Sequence, residues 1–507
     1  MCAIFGMISR ESRKDVALQM LKSMEHRGRD NSEIFEDQCH GKHVVLGHNR
    51  LAINDVSSDG NQPMFYEDLV MVVNGEVWNY WELREEYEKR GYNFTSTSDS
   101  EIILYLYKEN ELYRLDGMFS FIIYDRTPDK EKLVVSRDWV GKIPSYISVG
   151  SDIIVSSELH SFSRLHKTNA IFVQNNSLIT IDVKTQSVST ETDYYFVFSS
   201  ALTPTIDHDE VGRKTFKLLD NAVKRRMLSD VPIATMNSGG IDSSVMTFLA
   251  SKYIDNITSY TIKFDEDAED LQMARLLSER NGIKLVEVEV PKDETLLKER
   301  FLECIEVISY PLTVQIEVGI LCSFLAERIS ADGFKVVISG EGSDEAYGSY
   351  GNIRHLKDFP DWPDIRKAQI EKQYYGNLLR GNNIFMKYGT IEMRTPFFDR
   401  EFLDYTLNLT NEYTSGKSDV WKFPLVNAFR GKLPDEILDR DKMAFQKGTN
   451  FKEYIEKIIL DDPQINWKNH TNILTVVRDH HARIFGTSAK QIKEGIVTTD
   501  GGLLRWM

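Results

Sequence analysis

"VPIATMNSGGIDSSVMTFLA", residues 231–250, is the stretch that decides the fold class of the second half of the chain. It consists of an apolar run at residues 231–236, a Ser-Gly-Gly turn and an amphipathic segment that begins at Ile241. Strand, glycine-rich loop and helix in this order predict a parallel sheet with helices on its faces. Such a loop, at the N-terminus of a helix, can hold phosphate oxygens with its backbone N–H groups. The Gly-Lys-Ser/Thr ending of a Walker A motif is missing, and a Gly-Gly pair before a helix is by itself a common turn.

A second stretch, "VVISGEGSDE" at residues 336–345, repeats the arrangement of apolar strand, Ser-Gly turn and carboxylates. We expect it to form a neighbouring strand of the same sheet. Asp242 and Asp344 would then share a Mg²⁺ ion that neutralises pyrophosphate. The alternative for either carboxylate alone is a helix N-cap.

The first half of the chain has the pattern of antiparallel sheets. Helical stretches around residues 13–24 and 81–89 interrupt short β-type runs, which lie between turn residues at positions 43–48, 69–78, 119–125 and 133–138. The polar, proline-containing segment at residues 197–210 indicates a boundary. We therefore assign a first domain to residues 2–195, a linker to 196–208 and a second domain to 209–507. Downstream of residue 352 the strand signals fade and helical periodicity dominates.

Composition narrows the classes of function. The net charge of -16 disfavours binding to nucleic acid or to an anionic membrane, and the sequence has neither an apolar stretch long enough for a membrane span nor a signal pattern at its N-terminus. We therefore expect a cytoplasmic protein. The four cysteines, Cys2, Cys39, Cys304 and Cys322, lie far apart without a C-x-x-C pair, which argues against a zinc site and a disulfide framework.

Cys2 is thus free to take part in chemistry. After removal of Met1 it would carry a thiol and an α-amine on one residue, so that the amine can act as the general base. The alternative is a structural cysteine.

Five motifs of the first half resemble, in order and spacing, the class II glutamine amidotransferase domain: "HRGRDNS" (26–32), "GHNRLAI" (47–53), "NGEVWNY" (74–80), "TSDSE" (97–101) and "LDGMFSFIIYD" (115–125). The loop around residue 238 resembles the S-G-G-x-D-S loop of ATP pyrophosphatases. With "SGEGSDEAYGSY" (339–350), "IEMRTPFFD" (391–399) and "DRDKMAFQKG" (439–448), residues 2–450 resemble the glutamine-hydrolysing asparagine synthetase family.

This resemblance implies a fold and a reaction. The implied fold is a two-domain protein of the α/β and α+β classes, with an N-terminal Ntn-hydrolase αββα sandwich of antiparallel sheets. The second domain is implied to be a parallel-sheet, adenine-nucleotide α-hydrolase-like synthetase domain with a helical C-terminal part. The implied enzyme adenylates a carboxylate with ATP and Mg²⁺, releases AMP and pyrophosphate, and forms a carboxamide with ammonia from glutamine. The sequence leaves the oligomeric state open, with a homodimer as one option.

The resemblance also implies roles for individual residues. The implied catalytic residues are Cys2 as the nucleophile, Asn74 and Gly75 as the oxyanion hole, Glu341 for acyl-adenylate formation and Lys442 as a cation beside the phosphates. The glutamine-binding residues are Arg50 for the α-carboxylate, Asp99 for the α-ammonium, and Leu51, Ile53, Asn74, Gly75 and Glu76. The ATP-binding residues are Ser238, Gly239, Gly240, Asp242, Ser243, Ser244, Ile262, Ser339 and Gly340. The alternatives are a surface ion pair for Arg50 and Asp99 and a solvated cation for Lys442.

The chain departs from the family pattern in several places. Arg29 replaces a proline, Ala3 replaces a Gly or Ser, and Asn237 replaces a Leu; these changes look minor. Glu317 stands where bacterial members carry an aspartate-binding arginine, and Lys387 and Tyr388 stand where small residues are usual. We therefore expect Glu317 and Lys387 to be acceptor-binding residues and the acceptor to differ from aspartate.

Three alternatives compete with this hypothesis. The first is an asparagine synthetase proper, which would use aspartate. The second is a cyclase resembling β-lactam synthetase without a working glutaminase, and an intact set of Cys2, Arg50, Asn74 and Asp99 speaks against it. The third is a non-catalytic scaffold or regulatory binder, which would be expected to have lost phosphate-loop residues.

Overall fold

The computed structural model describes residues 1–163, 170–199, 207–350, 353–415, 420–441, 443–485, 497–499 and 502–504. The strands of the first half are β1 Ala3–Ser9, β2 Asn31–Cys39, β3 Lys42–Arg50, β4 Met64–Tyr66, β5 Leu69–Val77, β6 Gly117–Asp125, β7 Lys132–Arg137, β8 Tyr146–Val149, β9 Ile153–Ser156, β10 Ile171–Phe172, β11 Ser177–Asp182 and β12 Val188–Thr192. Its helices are α1 Lys14–Ser23, α2 Tyr80–Lys89, α3 Ile102–Lys108 and α4 His160–Ser163.

These strands form two antiparallel sheets of six strands each. The first has the order β10-β8-β9-β1-β3-β2, and the second has the order β12-β11-β7-β6-β5-β4. Alternation along β1 explains how they stack, since Ile4 and Ile8 face the second sheet while Phe5 and Met7 face α1. The far side of the second sheet packs on α2 and α3. The predicted four-layer αββα sandwich is confirmed.

The second half begins with a long amphipathic helix and alternates strands with helices. Its strands are β13 Ile233–Met236, β14 Thr258–Lys263, β15 Lys284–Glu289, β16 Val336–Ile338 and β17 Glu392–Arg394, and a separate pair comprises β18 Val497–Thr499 and β19 Gly502–Leu504. Its helices are α5 His208–Arg225, α6 Ile241–Ser251, α7 Glu269–Asn281, α8 Glu294–Ile308, α9 Thr313–Ala331, α10 Ser343–Tyr347, α11 Trp362–Glu371, α12 Asn377–Gly389, α13 Arg400–Leu407, α14 Asn411–Ser415, α15 Phe423–Phe429, α16 Asp435–Leu438, α17 Phe445–Gly448, α18 Lys452–Leu460 and α19 Ile473–Phe485.

Five of these strands form one parallel sheet in the order β15-β14-β13-β16-β17. The prediction that the two Ser-Gly stretches follow neighbouring strands is confirmed, because β13 pairs directly with β16. Carboxyl ends of adjacent parallel strands open at the same sheet edge, which is where open α/β sheets bind ligands. The two loops that follow β13 and β16 therefore meet at one edge.

The sequence patterns missed several elements, among them α3 and β17. α3 is an unbroken apolar run whose residues 102–106 are all buried, so it lacks the amphipathic alternation that marks a surface helix. β17 is only three residues long and completes the parallel sheet beside β16, in a region expected to be helical. Of the predicted linker, residues 200–206 lie outside the described residues, and α5 already begins at His208.

Among the helices that the structure describes, none alone has the length and apolar content to cross a membrane. α8 and α9 meet those criteria only together, as a pair bent by 113°.

Candidate active sites

Cys2 lies immediately before β1, in the interior of the first half. Its backbone N–H donates to Asn74 Oδ1 at 2.7 Å, and its thiol accepts from the Leu51 N–H at 3.4 Å. Burial raises the pKa of this thiol, while the neighbouring N-terminal ammonium and the Leu51 N–H lower it. The thiol is thus held in a fixed position between β3 and β5.

Asn74 and Gly75 occupy consecutive positions on β5 next to Cys2. Asn74 is fully buried, and its side-chain Nδ2 has no hydrogen-bond partner, although its Oδ1 is occupied by Cys2. Gly75 has a φ of +145°, and a Cβ there would collide with the carbonyl of Met118 on β6. Only glycine fits this position. An unpaired buried donor is costly, so its presence beside the thiol is typical of a site built to receive an acceptor.

Arg50 ends β3 and holds the loop that follows. Its guanidinium donates to the Ser57 carbonyl at 2.5 Å, to Asn61 Oδ1 at 2.7 Å and to the carbonyl of Asp55. The neighbouring predicted residues Leu51 and Ile53 are buried. The expected alternative of a surface ion pair does not describe Arg50, because its side chain is buried and its acceptors here are carbonyl and amide oxygens.

A buried charged cluster joins the two halves beside Cys2. Glu76 and Asp99 come from the first half, and Glu392 and Arg394 come from β17. The Met1 ammonium lies 3.1 Å from Glu392, and Arg394 lies 3.4 Å from Glu76. Burial raises the pKa of Asp99 to about 6 and raises that of Glu76 well above its usual range. Three carboxyl groups thus share two cationic groups, and one more cationic group would favour the ionised forms of Glu76 and Asp99.

The loop after β13 is shaped by three local interactions. Gly239 has a φ of +76°, and a Cβ there would collide with the Asp270 carbonyl. The Asn237 side chain accepts from the Gly239 N–H at 3.1 Å, so this departure from the family pattern stabilises the turn. Ser243 Oγ accepts from the Ser238 N–H at 3.0 Å across the start of α6. The other predicted residues of this loop, Gly240, Asp242 and Ser244, begin α6 as expected, and Ile262 lies buried on β14.

The loop after β16 packs tightly against the first loop. A Cβ on Gly340 would lie 2.6 Å from the Ser243 backbone nitrogen, so only glycine permits this approach. Ser339 donates its N–H to the Arg394 carbonyl at 2.9 Å and accepts from the Glu341 N–H at 3.3 Å. The predicted ATP residues of the two stretches thus lie side by side.

Lys422 bridges the two carboxylates that were predicted to share a metal ion. Its Nζ lies 2.7 Å from both oxygens of Asp242 and 2.7 Å from Asp344 Oδ1. Burial lowers the pKa of Lys422, but the two carboxylates raise it by more, so that the pKa lies above its ordinary value. Asp242 and Asp344 are therefore brought together, around an ammonium that the sequence patterns did not single out. Lys442, which was predicted to supply a cation here, lies outside the described residues.

Glu341 pairs with Arg380 of α12, a residue that the sequence patterns also missed. One Glu341 oxygen accepts from Arg380, which also donates to Gln315 Oε1 of α9 at 2.7 Å. The second Glu341 oxygen and Arg380 Nε are buried without a hydrogen-bond partner. Burial raises the pKa of Glu341, and Arg380 opposes this shift. The pair offers one unpaired acceptor and one unpaired donor at the edge of the sheet.

The two predicted acceptor-binding residues do not lie with this pair. Glu317 is on the side of α9 opposite Gln315, with 1% of its surface exposed and neither oxygen hydrogen-bonded. Burial raises the pKa of Glu317 to about 7, with Lys452 lowering it and Glu456 raising it further. Lys387 is exposed on α12, two turns or about 10 Å beyond Arg380.

Comparisons with known proteins cover both halves of the chain. The glutamine amidotransferase domain family matches residues 1–205, and the asparagine synthase family matches residues 214–388 and 357–495. A probable glutamine-hydrolyzing asparagine synthetase of Schizosaccharomyces pombe is 30% identical, over 90% of this chain and 87% of that protein. Asparagine synthetase B of Escherichia coli is 29% identical, over 89% of this chain and 83% of that protein. A putative asparagine synthetase of Methanocaldococcus jannaschii is 30% identical, over 90% of this chain and 95% of that protein.

Proposed function

This chain belongs to the glutamine-hydrolysing asparagine synthetase family, and from that premise we propose how its own residues divide the reaction. It is a glutamine-dependent amidotransferase that consumes ATP, and thus a carbon–nitrogen ligase. The roles of single residues and the identity of the acceptor are the substance of the proposal.

In the first half, Cys2 is the nucleophile. Removal of Met1 frees its α-amine, which accepts the thiol proton as the sulfur attacks the side-chain amide of glutamine. The amide carbon becomes tetrahedral, ammonia leaves with a proton returned by the amine, and water hydrolyses the thioester to glutamate. The observation that carries this assignment is the buried, unpaired Nδ2 of Asn74 beside the thiol, where it can donate to the developing oxyanion.

The charged groups around Cys2 suit the two ends of a glutamine molecule. Arg50 supplies a guanidinium for the α-carboxylate, and Asp99 together with Glu76 supplies negative charge for the α-ammonium. The raised pKa values of these two carboxyl groups support the assignment, because burial disfavours their charged forms and a bound ammonium would favour them.

In the second half, the loops after β13 and β16 hold the phosphates of ATP. The N–H groups at the start of α6 face the pyrophosphate, and Lys422 supplies a compensating charge. The acceptor carboxylate attacks the α-phosphorus, which yields an acyl-adenylate and pyrophosphate. Ammonia from the first half then displaces AMP to form the carboxamide. Glu341 lies in the loop after β16 and pairs with Arg380. Its proposed role is to position the acceptor.

Asp242 and Asp344 are the residues that would hold Mg²⁺. Their carboxylates already converge on one cation, the Lys422 ammonium, and oxygen ligands are those that Mg²⁺ prefers. When bound, the ion neutralises charge on the leaving pyrophosphate.

The acceptor is proposed to be a carboxylic acid other than free aspartate. Glu317 replaces the arginine that would bind the aspartate α-carboxylate, and its buried oxygens are unpaired, so a hydroxyl or cationic group of an acceptor would satisfy them. A second candidate is asparagine synthesis itself. The Arg380 guanidinium beside Glu341 favours it, because that group could bind the α-carboxylate in place of the missing arginine.

Two measurements on the full-length enzyme test the proposal. Cys2→Ala should abolish glutamine hydrolysis and retain pyrophosphate release driven by added ammonia, and Cys304→Ala is a matched control at a buried cysteine in the second half. Glutamine hydrolysis at the wild-type rate in Cys2→Ala would contradict the assignment. Pyrophosphate release with a panel of carboxylic acids then identifies the acceptor, and a sub-millimolar Michaelis constant for aspartate with ordinary turnover would select the second candidate.

A further inference from the structure

Away from both reaction sites, three side chains combine the ligand types that transition-metal ions prefer. Cys39 ends β2, His40 follows it in the turn to β3, and Glu131 directly precedes β7. The ligand atoms of these side chains all lie within 4.8 Å of one another, and His40 Nε2 is 3.0 Å from a Glu131 oxygen. We propose that Cys39, His40 and Glu131 form a binding site for a divalent transition-metal ion of the zinc type.

The backbone brings these ligands together from different sheets. β2 and β3 pair down to Cys39 opposite Lys42, so the two residues between them form a tight turn. Both turn residues have positive φ values, 49° at His40 and 68° at Gly41, as a two-residue hairpin requires. Glu131 lies at the start of β7 in the second sheet, one residue before the strand, and its carbonyl accepts from the Val183 N–H at 3.1 Å. A bound ion would therefore link the edge strand β2 of the first sheet to the second sheet at β7.

The charges around the three ligands favour a cation. The carboxylates of Glu131 and Asp37 lie close enough to the Cys39 thiol to interact with it electrostatically. Tyr124 donates to Asp37 at 3.2 Å and so keeps that carboxylate beside the thiol. Lys42, the first residue of β3, donates from its ammonium to Gln186 Oε1 at 3.2 Å. A divalent ion would supply the positive charge that a thiolate needs at this position.

The ligand set selects the class of metal. Thiolate, imidazole and carboxylate bind Zn²⁺ at about 2.0–2.3 Å, whereas Mg²⁺ and Ca²⁺ prefer oxygen ligands alone. On binding, the metal releases the thiol proton and takes the place of the proton shared by His40 and Glu131. Three protein ligands leave a fourth position for water. The sequence pattern argued against zinc because the four cysteines lie far apart without a C-x-x-C pair.

The test uses the purified full chain after treatment with a chelator. Titration with Co²⁺ should produce a thiolate-to-cobalt charge-transfer band that saturates at one equivalent and is displaced by Zn²⁺. Cys39→Ser should abolish the band, and Glu131→Gln or His40→Gln should weaken binding at least about tenfold. His43→Gln, on β3 of the same hairpin, keeps the three ligands and should bind as the wild type does.

The cysteine variant in which the cobalt band disappears shows which thiolate binds the metal. A band that persists in Cys39→Ser, or one that disappears only in Cys2→Ala, would overturn the proposal, as would the absence of stoichiometric cobalt binding. Thermal unfolding without metal verifies that each variant is folded. If Cys39→Ser does not fold, the test uses Glu131→Gln instead. A cobalt affinity equal to that of the wild type in this variant would also overturn the proposal.

Discussion

Replacement of Asn74 gives the sharpest test of the glutaminase assignment. Asn74 is fully buried, its Oδ1 accepts from the Cys2 N–H at 2.7 Å, and its Nδ2 has no partner. Loss of one oxyanion-hole donor costs about 2.7–4 kcal/mol, or roughly a hundred- to a thousandfold in kcat. We expect Asn74→Ala to lower the kcat of glutamine hydrolysis by that factor and to leave ammonia-driven pyrophosphate release unchanged.

Asn49 provides a matched control in the same half of the protein. It is also buried, but both ends of its amide are paired, to the Leu21 carbonyl and to the Ser32 hydroxyl, each at 2.8 Å. Asn49→Ala should therefore lower the free energy of unfolding without a specific loss in kcat. Glutamate release under saturating glutamine, with thermal unfolding of both variants, separates the two effects. A kcat for Asn74→Ala within about threefold of the wild type would refute the oxyanion role, since that corresponds to less than about 0.7 kcal/mol.

The remaining predictions separate the two substrates and the two halves of the reaction. Lys422→Met should lower ATP-dependent pyrophosphate release at least about tenfold, because Asp242 and Asp344 lose their shared cation, and equal loss of glutamine hydrolysis would contradict the assignment. Arg50→Lys should raise KM for glutamine with little effect on kcat, by about 1.5–3 kcal/mol or roughly ten- to a hundredfold, and an unchanged KM would show that Arg50 only supports its loop. Glu317, with a pKa of about 7 against an ordinary 4.5, becomes anionic as the pH rises through 7, so KM for an acceptor that presents a cationic group to it should fall over that range in the wild type but not in Glu317→Gln. The raised pKa means that the folded state binds more protons, so the free energy of unfolding should also fall as the pH rises from 4.5 to 7, and less so in Glu317→Gln.

Local sequence was sufficient for most of the architecture, for reasons that lie within short segments. Two-residue alternation in β1, β3 and β5 specifies which side chains face the partner sheet, and the glycine-rich turn before Ile241 specifies strand, loop and helix. The neighbouring placement of β13 and β16 followed from the rule that similar strand–loop units join one parallel sheet. The sequence patterns did not predict α3, because it is buried and has no amphipathic face, or β17, because three residues are too few to show a periodic pattern.

The sequence by itself predicted antiparallel sheets followed by a parallel sheet with helices, predicted the two loops at the edge of that sheet, and singled out Cys2, Asn74 and Gly75 as candidate site residues. Tertiary structure alone decided which charges meet. Lys422, which is 180 positions from Asp242 in the chain, bridges Asp242 and Asp344, and Arg380 of α12 reaches Glu341 in the loop after β16. Glu317 lies on the side of α9 opposite Gln315, the partner of Arg380. The physical reason is range: backbone periodicity acts over a few residues, whereas electrostatic pairing depends on the spatial distance between side chains, which no local pattern encodes.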